Sequence, residues 1–148
     1  MREVLFRGKS KHTGEWVTGA YVSKNWYLNK GVVEESNIIS YEDGDECLWH
    51  LIIPESISEF TGLTDKNGKK IFEGDIVNRG GGFYVVRYGK HLIDCCGCCY
   101  EYHQSVGFYL ERDGYNKKSI ISDYDTWNDL YIIGNIHDNP ELLKNDKE

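Results

Sequence analysis

Residues 61–89 read "TGLTDKNGKKIFEGDIVNRGGGFYVVRYG", and this stretch decides the fold class. Apolar residues come in short runs: Ile71 and Phe72, then Ile76 and Val77, then Val85 and Val86. Each run is bounded by turn residues, the pattern of short strands rather than helices. Asp65-Lys66-Asn67-Gly68 predicts a hairpin turn, because Asn-Gly supplies the positive φ angles that tight turns need. "KKIFEGDIV" then predicts a strand broken at Gly74-Asp75, where a glycine inside a strand marks a bulge or sharp bend. Gly80-Gly81-Gly82 turns the chain back into "FYVVRY".

The same pattern continues on both sides. Upstream, "EVLFR" predicts a first strand and "KHTG" a turn. In "EWVTGAYV", Trp16, Thr18 and Ala20 alternate with Val17, Gly19 and Tyr21, the two-residue period of a half-buried strand. "NWYLNKGVV" predicts a hairpin turning at Asn29-Lys30-Gly31, "NIIS" a further strand, and "CLWHLII" one that stops at Pro54. "PESISEF" predicts a short helical turn with Pro at its first position. Downstream, "VGFYL", "YNKKSIIS" and "LYIIGNI" predict strands. "HDNPELLKNDKE" predicts a short helix with Asn139 as cap and Pro140 as first helical residue. Roughly eight to ten short strands imply a mainly β protein, a barrel or sandwich with small helical pieces. The expected boundary lies near Pro54 to Thr61. It separates an N-terminal β portion, residues 1–58, from a bent-strand barrel, residues 59–148.

Composition supports this reading and narrows the function. The 148 residues include eleven Tyr, four Trp and 16 Gly but only two Pro, which favours β structure with turns. Seventeen basic and 24 acidic residues give a net charge of −7, so the chain has no global attraction for a polyanion. Residues 34–46, "EESNIISYEDGDE", hold six acids and no base. No apolar run approaches the roughly 20 residues of a membrane span, and the start has no signal-peptide pattern. A cytoplasmic protein with reduced thiols and no membrane partner is expected, and the odd count of five Cys argues against a disulfide framework.

Taken together, "FTGLTDKNGKKIFEGDIV", "FYVVRY" and "YIIGNIHDNPELL", with "REVLFRGKSKHTGEW" and "IPESISEFTGL" before them, resemble the YopX family of phage and prophage proteins. The resemblance covers residues 2 to 143. It implies an SH3-like β-barrel core behind an N-terminal β portion, with a short C-terminal helix. It also implies a phage or prophage origin, a bacterial host cell as the setting, and self-association. It implies no activity and supplies no catalytic residues. This chain departs from the family pattern by inserting "GKHLIDCCGCCYEYHQS" between "VVRY" and "VGFYL". The cysteine cluster is therefore read as an elaboration on a hairpin.

Several constellations invite a sharper chemistry. In the insert, Cys95 and Cys98 have C-x-x-C spacing, as do Cys96 and Cys99, and His91, Cys95, Cys98 and His103 are the candidate ligands of a structural zinc ion. Two well-separated ligand pairs are missing, so tolerated thiols on a hairpin are the preferred reading. The context for thioredoxin-like redox work, a C-x-x-C opening a helix after a strand, is not predicted. No catalytic residue and no cofactor are assigned. Asp75 is read as an acid that bonds nearby backbone N–H groups and fixes its bend, and Glu73 as solvated. The glycines 80–82 lack the Gly-Lys-Ser/Thr of a phosphate loop, and Asp43, Asp45 and Glu46 lack EF-hand spacing.

Trp16, Trp26, Trp49 and Trp127 fit a core or an oligomer interface better than a base-stacking platform. Arg79, Arg87, Lys69 and Lys70 are the basic grouping near the barrel. Two functional expectations follow. The first is a non-catalytic, self-associating interaction module. The alternative is a nucleic-acid-binding accessory protein using the SH3-like barrel face, an analogy of fold alone.

Overall fold

The computed structural model describes residues 3–27, 33–94, 102–112, 118–120 and 130–145. The chain divides into two compact units, Met1–Phe60 and Thr61–Glu148. In the first unit the strands are β1 (Phe6–Lys9), β2 (Trp16–Tyr27), β3 (Val33–Asp43) and β4 (Glu46–Leu51). A single 3₁₀ turn, Pro54–Ser56, precedes β5 (Ser58–Thr64), which runs from the first unit into the second. The order within the first unit is β4-β3-β2-β1-β5, all neighbours antiparallel.

Alternation along β2 decides its two faces. Val17 and Gly19 are buried with Tyr21 half-buried beside them, while Thr18, Ala20 and Val22 are exposed. Val17, Ile39 and Ile52 form the core of this unit, with Phe6, Tyr21, Tyr41 and Ile57 packed against it. Burying such aliphatic side chains contributes about 1.5–3 kcal/mol each. The first strand starts at Phe6, three residues after the Glu3 expected to begin it, and Val4 is exposed.

The second unit holds the end of β5, its neighbour β6 (Lys70–Phe72), then β7 (Asp75–Arg79), β8 (Gly82–Asp94), β9 (Tyr102–Glu111), β10 (Lys118–Ile120) and β11 (Tyr131–Asn135). A final helical turn spans Leu142–Asn145. The five-stranded sheet has the order β10-β9-β8-β7-β11. Its core is Ile71, Val77, Val86, Leu110 and Leu130, with Leu63, Tyr84, Phe108 and Ile132 packed against it.

The bend between β6 and β7 is built as its sequence implies. Gly74 has φ +83°, its N–H donates to the Val86 carbonyl at 2.8 Å, and its own carbonyl accepts the Ile136 N–H at 2.9 Å. Asp75 is buried and its Oδ2 accepts the Phe72 N–H at 2.8 Å. The acid therefore caps its own corner, as its position after a bend glycine suggests.

Three expectations need correction. The turn at 65–68 uses positive φ at Gly68 alone, since no described residue other than glycine has positive φ. The Gly68 N–H donates to the Asp65 carbonyl and the Asp65 N–H to the Lys69 carbonyl, which closes a three-residue loop with glycine in the left-handed position. Asn139 does not cap the last helical turn. Its Oδ1 accepts the Asn135 N–H at 3.4 Å, and the turn starts three residues later at Leu142. The mainly β class holds, but the sheets are open. Among the described residues β10 pairs with β9 and β11 with β7, and these two end strands do not meet to close an SH3-like barrel.

Candidate interaction site

The outward face of the first sheet carries an uncommon set of side chains for a solvent-facing surface. Strand register builds it row by row. Val22 pairs with Ile38 and Ile38 with Leu51; Ala20 pairs with Ser40 and Ser40 with Trp49. On β1, Lys9 pairs with Trp16 and Arg7 with Thr18. All of these alternate with the core residues and point away from them. Trp49 is 61% exposed and Val22 47% exposed. Arg7 and Lys9 lie over the Trp16 ring, 4.7 and 5.5 Å from its centroid. Trp49 sits on β4, an end strand of the sheet. A two-tryptophan, aliphatic face beside an edge strand is the surface type that self-pairing or a partner covers.

Beside this face lies a cleft of about 240 Å³, lined by Thr13, Glu15, Trp16, Val17, Thr18, Tyr41 and His50. The Tyr41 and His50 rings are stacked, 5.9 Å apart and 10° from parallel. His50 Nε2 is 3.5 Å from the Tyr41 hydroxyl and its Nδ1 is 3.3 Å from Ser10 Oγ. Ser10 has no exposed surface, and its Oγ also accepts the N–H groups of His12 (3.3 Å) and Thr13 (3.4 Å). The serine therefore fixes the turn and orients the imidazole; it does not offer a nucleophile to solvent. Sequence reasoning missed this cluster. The alternation in "CLWHLII" puts His50 on the inward side with Leu48, but only the β3–β4 register brings it to Tyr41.

The residues singled out in the second unit are differently placed. The insert is strand for much of its length: Gly89–Asp94 extends β8, Tyr102–Ser105 opens β9, and the ladder runs continuously from Val85↔Glu111 to Asp94↔Tyr102. His91 is 4% exposed and packs against Tyr109, with ring centroids 4.9 Å apart. Its Nδ1 is 3.1 Å from the Gly89 carbonyl, and its Nε2 is buried with no hydrogen-bond partner among the described residues. The backbone of His103 pairs with Ile93. Cys95 and Cys98 lie outside the described residues, as do Cys96, Cys99 and Trp127. Among the described residues no group of three or more His, Cys, Asp or Glu could hold a metal ion.

The basic grouping is split. Arg79 pairs with Gly82, on the face of Tyr84 and Val86, whereas Arg87 falls on the opposite face. Arg87 forms an ion pair with Glu111 at 3.4 Å. Lys69 and Lys70 are exposed, near the turn that Asp65 holds. Asp43, Asp45 and Glu46 form an exposed hairpin tip. A second, smaller apolar surface sits on the β8–β9 ladder. There Tyr88 (51% exposed) meets Phe108 edge-on at 5.0 Å, next to Val106 (60% exposed).

Residues 5–144 match the family model described as YopX protein. The chain belongs to the YopX family. The YopX match runs through both units. No curated protein matches the chain. Among solved structures it is similar to the crystal structure of protein EF1440 from Enterococcus faecalis, at 19% identity and a TM-score of 0.47, over 97% of this chain and 99% of that one. No helix among the described residues of this YopX protein is long and apolar enough to cross a membrane.

Proposed function

We propose that this YopX-family chain is a phage- or prophage-encoded accessory protein of the bacterial cytoplasm, a non-catalytic interaction module that works as a homo-oligomer. The observation that carries this reading is the outward face of the first sheet. Trp49 and Val22 are largely exposed there, in rows continued by Ile38 and Leu51, and β4 is an end strand. Aromatic anchors inside an aliphatic patch are the composition of interface cores. A β end strand with no proline and a single charged residue invites pairing with another copy. The polar clusters that could suggest chemistry have structural work instead: Asp75 caps a bend and Ser10 holds a turn. The bent β6–β7 pair with the β8–β9 ladder is read as an opened variant of an SH3-like core. Light scattering on the purified protein tests the oligomer.

A further inference from the structure

We propose that two copies of this chain join edge to edge through β4, antiparallel about a two-fold axis at Leu48, so that the first sheet continues from one copy into the other. This rests on the self-association reading and specifies its contact. The site lies within the first unit.

The ladder determines which backbone groups β4 offers. The Ile52 N–H donates to the Asn37 carbonyl at 2.8 Å, and the pairs that follow are Ile39 with His50, Tyr41 with Leu48 and Asp43 with Glu46. Hydrogen-bonded pairs alternate in an antiparallel ladder. The even-numbered residues of β4 therefore bond to β3, and Cys47, Trp49 and Leu51 turn their backbone groups to the outer edge. Leu51 is already engaged there: its carbonyl accepts the Lys11 N–H at 2.8 Å, and beyond it the Ile53 N–H donates to the Lys9 carbonyl at 2.9 Å. Cys47 and Trp49 are exposed, and among the described residues the sheet ends at β4. One register uses all their outward groups. With Leu48 opposite the partner's Leu48, Cys47 exchanges two hydrogen bonds with the partner's Trp49, and Trp49 two with the partner's Cys47. Sliding the partner by two residues one way sets Cys47 against the partner's Leu51, whose carbonyl is taken. Sliding it the other way sets Trp49 against the partner's Asp45, which lies in the hairpin turn.

Charge complementarity selects a second copy as the occupant. Residues 34–46 hold six acids and no base, whereas residues 4–14 hold Arg7, Lys9 and Lys11 and no acid. In the register above, the partner's Glu46 falls opposite His50. The partner's acidic tip then reaches the end of the edge where Lys9 and Lys11 are held. The two-fold axis repeats this contact, so each acidic tip meets the other copy's basic turn. Within one copy Asp45 and the Lys11 segment lie at opposite ends of β4, six residues or about 20 Å apart. The attraction is therefore made between copies. On the outward face Trp49 lies diagonal to the partner's Trp49, at about 7–8 Å, within reach of aromatic rings.

The test has two arms. In a chain whose five cysteines are replaced by Ser, Leu48→Cys should give a disulfide-linked dimer under copper–phenanthroline oxidation. Facing residues of that kind have Cα atoms about 4.5 Å apart, within disulfide range. Val22→Cys in the same background should not cross-link, since five strand spacings, about 24 Å, separate it from its copy. In the second arm, Lys11→Glu and Asp45→Lys are made singly in the parent chain and followed by light scattering on dilution. Each sets like charges together at both contacts and should raise the dissociation constant about tenfold or more. An equimolar mixture of the two variants should recover the parent mass, because each tip then faces an opposite charge. Circular dichroism checks that every variant is folded, and the mixing arm decides should Leu48→Cys fail to fold. An oligomeric parent with no Leu48→Cys dimer beyond the Val22→Cys level would overturn the β4 contact and leave self-association standing. Charge variants that keep the parent mass, or a mixture that stays dissociated, would do the same. A parent that is monomeric throughout would overturn both.

Discussion

Asp65 and Ile132, 67 residues apart in sequence, are joined by a hydrogen bond: the Ile132 N–H donates to Asp65 Oδ2 at 3.0 Å. The other carboxylate oxygen accepts the N–H groups of Asn67 and Lys69, both at 2.9 Å. One buried acid thus closes the turn after β5 and ties it to β11. Asp65→Ala leaves three backbone donors without this acceptor, and an orphaned buried donor costs about 1–3 kcal/mol. Water reaching part of the turn limits the sum, so a loss of about 3 kcal/mol is expected in chemical denaturation. A loss under about 1 kcal/mol would show that the carboxylate is not a structural tie.

Gly74 bends the chain between β6 and β7 at φ +83°. A Cβ there would meet Ile136 Cγ1 at 3.4 Å, ordinary contact, so the cost of a side chain lies in the backbone. Gly74→Val should destabilise the fold by about 1–3 kcal/mol. An unchanged melting temperature would contradict the bend.

The β8–β9 ladder runs through ten residue pairs and reaches Asp94↔Tyr102 on the near side of the cysteine-rich connection. Pairing on this scale holds the hairpin without help from its connection, and loop-closure entropy changes slowly with loop length. Replacing Cys95, Cys96, Cys98 and Cys99 together with Ser should therefore shift the melting temperature by no more than a few degrees, and a chelator should leave the parent unchanged. The buried Nε2 of His91 makes the chelator arm informative. A large loss in the mutant, matched by chelator treatment of the parent, would instead show that metal binding contributes to folding.

Trp49 projects from β4 on the outward face and touches no core cluster. Trp49→Lys should change thermal stability by less than about 0.5 kcal/mol, as exposed substitutions do. It should also lower the mass of the assembly. A destabilised variant with unchanged mass would assign the ring to folding rather than to an interface.

How much of this was readable in advance depends on the range of the interactions. Local chemistry was legible: the alternation of "WVTGAYV" sorted Val17 and Gly19 from Thr18 and Ala20, and Gly74-Asp75 marked a true corner. The turn at Asp65 was located, but its type was misread, because Asn67 keeps negative φ once Asp65 Oδ1 holds its N–H. Whatever rests on register was not legible. Arg79 and Arg87 look like neighbours in sequence, yet strand parity puts them on opposite faces. Tyr41, His50 and Ser10 come together only through pairing of strands across the first unit. Sheet closure likewise depends on which end strands meet, and short-range patterning says nothing of that.

Light scattering on the purified chain, taken through the micromolar range, tests the central claim most directly. The account predicts a mass that is a multiple of 17.1 kDa, falling in Trp49→Lys. A mass of 17.1 kDa throughout that range would contradict it.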